Sequence, residues 1–257
     1  MKNKTIDTEQ GHWILAKMGK KVLRPGGKEL SLKLIDALHI SKGDDIVEFA
    51  PGIGYTANFL LKKNPKTYTG IELNEEAARD LTKKIGGTNH KIINTNAAHT
   101  GLKEAHANKL IGEAMLTMQA DHRKSEIIAE AYRILKKGGL YGIHELGLTP
   151  NDISDKTKAS IQRKLAQSIR VNARPLTQQE WCELLKKEGF KIKEVFESPM
   201  HLLNPSRVIK DEGFFRTLKI GFNVLTHPKE RARIMKMRKV FKKYESQMTA
   251  FGIIAEK

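Results

Sequence analysis

The chain lacks several features that most readily place a sequence in a functional class. Cys182 is its single cysteine, which excludes an intrachain disulfide and a thiolate cluster for zinc or iron–sulfur. No apolar run approaches the ~18–20 residues of a membrane span. The opening MKNKTIDTEQ is polar and has no apolar signal core, so a cytoplasmic location is expected. Internal repeats and low-complexity linkers are absent. What remains is 257 residues, 39% hydrophobic, enough for one large α/β domain or a domain with a cap.

Acidic residues are scarce towards the end. Residues 1–150 carry 23 Lys and Arg against 17 Asp and Glu, and residues 151–257 carry 23 against 12. The stretch 205–243 alone carries 12 against 3, so much of the net charge of +17 belongs to one late segment.

From Ser41 the chain alternates strand-like and helix-like stretches. DIVEF (45–49) and TYTGIEL (67–73) read as strands. Asn74 has the chemistry of an N-cap, with Glu75 and Glu76 in the positive first turn and Ala77, Leu81 and Ile85 as the inward stripe. KIIN (91–94), KLIG (109–112) and LYGIHEL (140–146) continue the series, with a helix over about 121–136 before the last. FKIKEVFE (190–197) and MTAFGIIAE (248–256) complete seven strands. Strands alternating with crossover helices predict a Rossmann-like α/β fold, a mostly parallel sheet with helices on both faces. Two helical stretches over 8–39, split by RPGG (24–27), precede it, and 151–175 reads as helical and basic. Thr177 and Glu180 have capping-box spacing ahead of WCELLKKEGF.

The chemistry concentrates in DDIVEFAPGIGYTANFL (44–60), a strand, a glycine turn and a helix start. The P-loop pattern needs a Lys-Ser/Thr pair that the turn lacks. Gly52, Gly54 and Ala57 satisfy the dinucleotide pattern, but Ala50-Pro51 intervene after the strand, and Glu48 at the strand end would repel a pyrophosphate. A carboxylate there suits an ammonium or sulfonium group. Glu72 ends the second strand 18 residues beyond Gly54, where a carboxylate can accept from both hydroxyls of a ribose.

These residues resemble the class I S-adenosylmethionine-dependent methyltransferases from about Leu23 to Leu146. VEFAPGIG (47–54) is similar to their first motif, with Ala50 replacing the first glycine and Gly52 and Gly54 keeping the others. GIELN (70–74) resembles the second, and EAYRILKKGG (130–139) the helix end before the fifth strand. The resemblance implies S-adenosylmethionine as cofactor, with S-adenosylhomocysteine as product and no metal. It places Glu72 on the ribose, Leu73 against adenine, and Asn96 and Ala97 along the adenine edge. Residues 1–40 then form an N-terminal helical lid and 41–257 the methyltransferase domain.

Candidates for the acceptor side lie beyond the strand ends. Glu113 could touch the cofactor or a cationic acceptor, and Met115 and Met118 could form an apolar wall or simply be core. His144 is the candidate general base, and strand alternation sends it and Glu145 to opposite faces. HELGL is not H-E-x-x-H, so no zinc site follows. His12 and Trp13 could cover the open edge, and Arg170 and Arg174 could clamp an anion. The expected function is methyl transfer to a small-molecule acceptor, apolar or anionic. An RNA methyltransferase and a non-catalytic binder of the cofactor are the alternatives, and the absence of [ND]-P-P-[YF] disfavours nucleic acid.

In the basic segment, Phe215, Leu218, Phe222 and Leu225 share one helical side, and Ile234, Met237, Phe241 and Tyr244 share one side of the next helix. This segment reads as an insertion with a solvated basic face, as a cap that is greasy inside and basic at its rim, or as a peripheral membrane contact.

Overall fold

The computed structural model describes residues 10–257. Residues 1–9, where the polar leader and the start of the predicted lid fall, lie outside the described residues.

The elements run α1 (Gly11–Lys17), α2 (Gly27–Ala37), β1 (Asp45–Phe49), α3 (Ala57–Lys62), β2 (Thr67–Glu72), α4 (Glu75–Ile85), β3 (His90–Asn94), β4 (Ala107–Glu113), α5 (Asp121–Ile134) and β5 (Leu135–Leu148). There follow α6 (Asp155–Ile169), β6 (Leu176–Thr177), α7 (Gln178–Lys187), β7 (Lys191–Pro199), α8 (Pro205–Glu212), α9 (Phe214–Thr226), α10 (Pro228–Lys243) and β8 (Met248–Glu256). The sheet order is β3-β2-β1-β4-β5-β8-β7. All pairings from β3 to β5 are parallel, and β8 runs antiparallel between β5 and β7. The Rossmann-like expectation therefore holds. One strand was not anticipated: Leu176–Thr177 pairs with the end of β5 just where Thr177 caps α7.

Local chemistry explains the boundaries. The Asn74 side chain accepts from the Ala77 amide at 2.9 Å and starts α4. Thr177 and Glu180 form the full capping box of α7. The helix predicted over 151–175 is shorter, since Ser154 caps it at the start and Arg170 ends it in a left-handed conformation.

Two apolar cores sandwich the sheet. Ile127, Ile128, Trp181 and Phe190 fill one face, and Leu34, Ile35, Leu60 and Leu81 fill the other. A third cluster joins α1, α6 and α10 through Leu15, Ile161, Leu165 and Met237.

The basic insertion divides its two apolar stripes in opposite ways. On α10, Met237 and Tyr244 are buried and Ile234 and Phe241 pack beside them. On α9, Phe215, Leu218, Phe222 and Leu225 all face solvent. The opposite side, with Arg216, Thr217, Ile220, Asn223 and Val224, faces inward, where Asn223 donates to the Met18 carbonyl. A cap with its grease on the inside is therefore corrected for α9: its apolar side points out.

Candidate functional site

The strand order reverses between β1 and β4, the place where open α/β sheets bind ligands beyond their strand ends. Glu48, Glu72 and Glu113 come from the carboxyl ends of β1, β2 and β4.

The turn after β1 is held open by backbone geometry. Ala50 has φ +51°, Gly52 +56° and Gly54 +76°. The two glycines serve different purposes. A Cβ on Gly54 would lie 2.5 Å from Leu81 Cδ2, so this position lets α4 pack against the turn. A Cβ on Gly52 would meet only the Ala50 carbonyl oxygen, at 4.0 Å, so this position leaves free space above the backbone. Ala50 keeps the left-handed conformation that a glycine would adopt without cost.

Glu72 is aimed at that turn. One carboxylate oxygen accepts from the Gly52 amide at 3.0 Å and the other from the Asn74 amide at 2.9 Å. Burial pushes its pKa up, and these amides oppose the shift. Each oxygen retains a lone pair for a further donor. Leu73 beside it is 65% exposed, an apolar shelf at the strand end. Ala97 is buried in the wall, and Asn96 turns its amide oxygen onto the Ala98 amide at 3.0 Å. A carboxylate with spare acceptor capacity, an open backbone cradle and an exposed apolar shelf fit a ligand with a ribose and a flat ring. The expected cofactor therefore fits the residues present.

Glu48 and Glu113 behave oppositely. Glu48 accepts from the Tyr68 hydroxyl at 2.6 Å. Burial pushes its pKa up to about 8 against that hydrogen bond, so it is largely protonated near neutrality. For Glu113, burial also pushes upward, but the Arg24 guanidinium, His144 and Ser31 overcome it and hold the carboxyl at about 2. Arg24 donates to it at 2.5 Å and Ser31 at 2.6 Å, and Thr56 also donates to it.

His144 pairs with Glu113 in register across β4 and β5, which brings the two side chains together. Its Nδ1 lies 2.8 Å from Glu113 and its Nε2 2.5 Å from the Pro25 carbonyl. Both ring nitrogens face oxygen acceptors, and the side chain is fully buried. Neither ring nitrogen is open to an acceptor molecule. This departs from the general-base expectation: in this geometry His144 fixes Glu113 and the loop before α2. Glu145 points to the opposite face, as strand alternation requires, where its carboxylate accepts from the amides of Met115, Leu116 and Thr117.

The other candidates separate. Trp13 lines a cavity of about 240 Å³ with Gly52, Ile53, Ala77, Asp80, Leu81 and Lys84, so α1 does reach the turn. The His12 ring lies tilted beside that of Trp13 with ring centroids 5.1 Å apart, and burial lowers its pKa to about 4. Met115 is core, and Met118 is half-buried in the short turn before α5. Arg170 is exposed at the end of α6. Arg174 pairs with Asp121 at 2.9 Å rather than joining the strand-end acids. Arg24, Ser31, Thr56 and Tyr68 were not anticipated. Their partners lie 7 to 113 positions away in the chain, and no local pattern marks them.

Residues 46–139 match a family described as a methyltransferase domain. An uncharacterized protein of Haemophilus influenzae is 33% identical over 253 residues, 97% of this chain and 98% of its own. Among solved structures, the cyclase SpnF superimposes with a TM-score of 0.75 at 13% identity, covering 97% of this chain and 94% of its own. Phosphoethanolamine N-methyltransferase 2 of Haemonchus contortus, solved with S-adenosyl-L-methionine, gives 0.74 at 16% identity, covering 99% of this chain and 58% of its own. At these identities the two structures speak for the fold.

Proposed function

We propose that the chain, a member of the class I S-adenosylmethionine-dependent methyltransferases by its methyltransferase domain at residues 46–139, methylates a small-molecule acceptor in the cytoplasm. The observation that carries this reading is the Glu72 carboxylate set against the open Gly52 backbone. When bound, S-adenosylmethionine supplies an activated methyl group on a sulfonium, and S-adenosylhomocysteine is left.

In this reading Glu72 holds the ribose hydroxyls, Leu73 lies along the adenine, and Asn96 and Ala97 line its edge. Ala50 and Gly52 let the backbone approach the methionine part. Glu48, protonated near neutrality, keeps a hydrogen-bonding role under the turn rather than a charged one. Glu113 stays ionised but is compensated by Arg24 and His144, so it orders the pocket floor.

Catalysis is then positional: an acceptor aligned with the methyl group in a dry site needs no covalent enzyme intermediate. His12 and Trp13 act as the lid over the turn, and Met118 contributes apolar lining. Arg170 and Arg174 are left as rim residues for an anionic acceptor. The test is formation of S-adenosylhomocysteine from S-adenosylmethionine with fractionated small-molecule extract. A fraction-dependent product supports the reading. Tight cofactor binding with no turnover in any fraction returns the protein to non-catalytic binding.

A further inference from the structure

The outward side of α9 is the largest apolar feature left unexplained. Phe214, Phe215, Leu218, Phe222 and Leu225 are 56–85% exposed. In an ordinary surface helix these residues would face the domain, and here the side with Arg216, Thr217, Ile220, Asn223 and Val224 does so. Five large apolar side chains on one exposed helical side are not the scattered single residues that every surface carries.

Charge selects the occupant. The segment 205–243 holds 12 Lys and Arg and only 3 acids. All three acids are engaged within the protein. Asp211 accepts from the Lys28 amide, Glu212 from the amides of Lys21 and Val22, and Glu230 from Lys17. Lys219, Lys229, Lys236, Lys239, Lys242 and Lys243 are exposed. A second copy seated here would set like charges against like, so self-association through this face is electrostatically opposed. A nucleic acid would meet the cations but leave the phenylalanines without a role along the helix.

We propose that α9 docks on an anionic lipid bilayer surface, with its phenylalanines and leucines in the acyl boundary and the surrounding lysines and arginines at the headgroups. A 13-residue helix with one apolar side and basic neighbours matches that geometry. Each cation near such a surface adds attraction that salt screens. The docking helix also touches the site through the chain: α9 holds Met18, and Asp211 and Glu212 hold the loop that carries Arg24 and Pro25 to Glu113 and His144. This surface does not depend on the methyl-transfer reading.

The test is co-sedimentation of the full chain with vesicles of phosphatidylcholine alone or mixed with phosphatidylglycerol, at low and high salt. Binding to the mixed vesicles should exceed binding to neutral ones by at least about tenfold and fall with salt. Phe215→Ser with Phe222→Ser should lower it by at least about tenfold at unchanged Tm, because both positions are exposed. Lys236→Glu with Lys239→Glu provides a second, independent loss. No binding to mixed vesicles, or equal binding by both variants, overturns the proposal. So does light scattering that shows a dimer dissolved by the phenylalanine variant. Retention on RNA without retention on vesicles overturns it too.

Discussion

The strand-end site and the α8–α10 insertion treat the same kinds of residue in opposite ways. At the strand ends, charged groups are buried and apolar groups form the packed walls, except for Leu73. In the insertion, the apolar side of α9 is outside and the acids are drawn inward to hold the loop before α2. The contrast teaches that burial follows from partners rather than residue type. Glu113 is buried because Arg24, Ser31, Thr56 and His144 satisfy it, whereas Phe222 is exposed because none of the described residues covers it.

The most damaging change should be Glu113→Ala, which strands Arg24 and His144 without their carboxylate. Removing one partner of a buried charge network costs about 3–5 kcal/mol, read as a fall in thermal or denaturant stability. A loss under about 1 kcal/mol would mean the network is not formed as described. Next, Leu34→Ala in the fully buried α2 core should cost about 2–5 kcal/mol, while Leu218→Ala on α9 should stay within about 0.5 kcal/mol. Equal losses would erase the difference between the two regions.

The two acids sharpen the comparison through pH. The folded pKa of Glu48 lies above its unfolded value, so its contribution is fully present below about 4.5 and is lost as pH rises through about 8. Glu48→Gln keeps an acceptor for the Tyr68 hydroxyl without a titrating proton. The wild type should therefore lose Tm relative to this variant between those values, and parallel Tm–pH curves would contradict the assignment. Glu113 has the reverse sign: its contribution is present above about 4.5 and is lost as pH falls through about 2. The smallest effect belongs to Ala50→Gly. It relieves a left-handed alanine but gains backbone entropy in the unfolded chain, so stability should change by no more than about 1 kcal/mol.

The turn and the helix starts were legible because their signals are local. The glycine turn, the Asn74 cap and the Thr177–Glu180 box each depend on residues within a few positions. The acceptor side was less so. Glu113 and His144 could be named from their strand ends, but the contacts that occupy His144 come from Pro25 and Glu113, far away in sequence. The insertion shows another limit. Spacings of three and four mark which residues of α9 and α10 share a side, and both stripes read alike. Only packing against α1 and α6 decides that the α10 stripe goes in, and only the lack of a neighbour among the described residues leaves the α9 stripe out.

Calorimetry with S-adenosylhomocysteine reads whether the Gly52 turn and Glu72 hold S-adenosylmethionine. The wild type should bind saturably, and Glu72→Ala should weaken binding by about ten- to hundredfold, roughly 1.5–3 kcal/mol for a charge-assisted hydrogen-bonding group. Gly52→Val should abolish binding in a folded protein. Unchanged affinity in both variants, or preferential binding of NAD by the wild type, would contradict that role for the turn and Glu72.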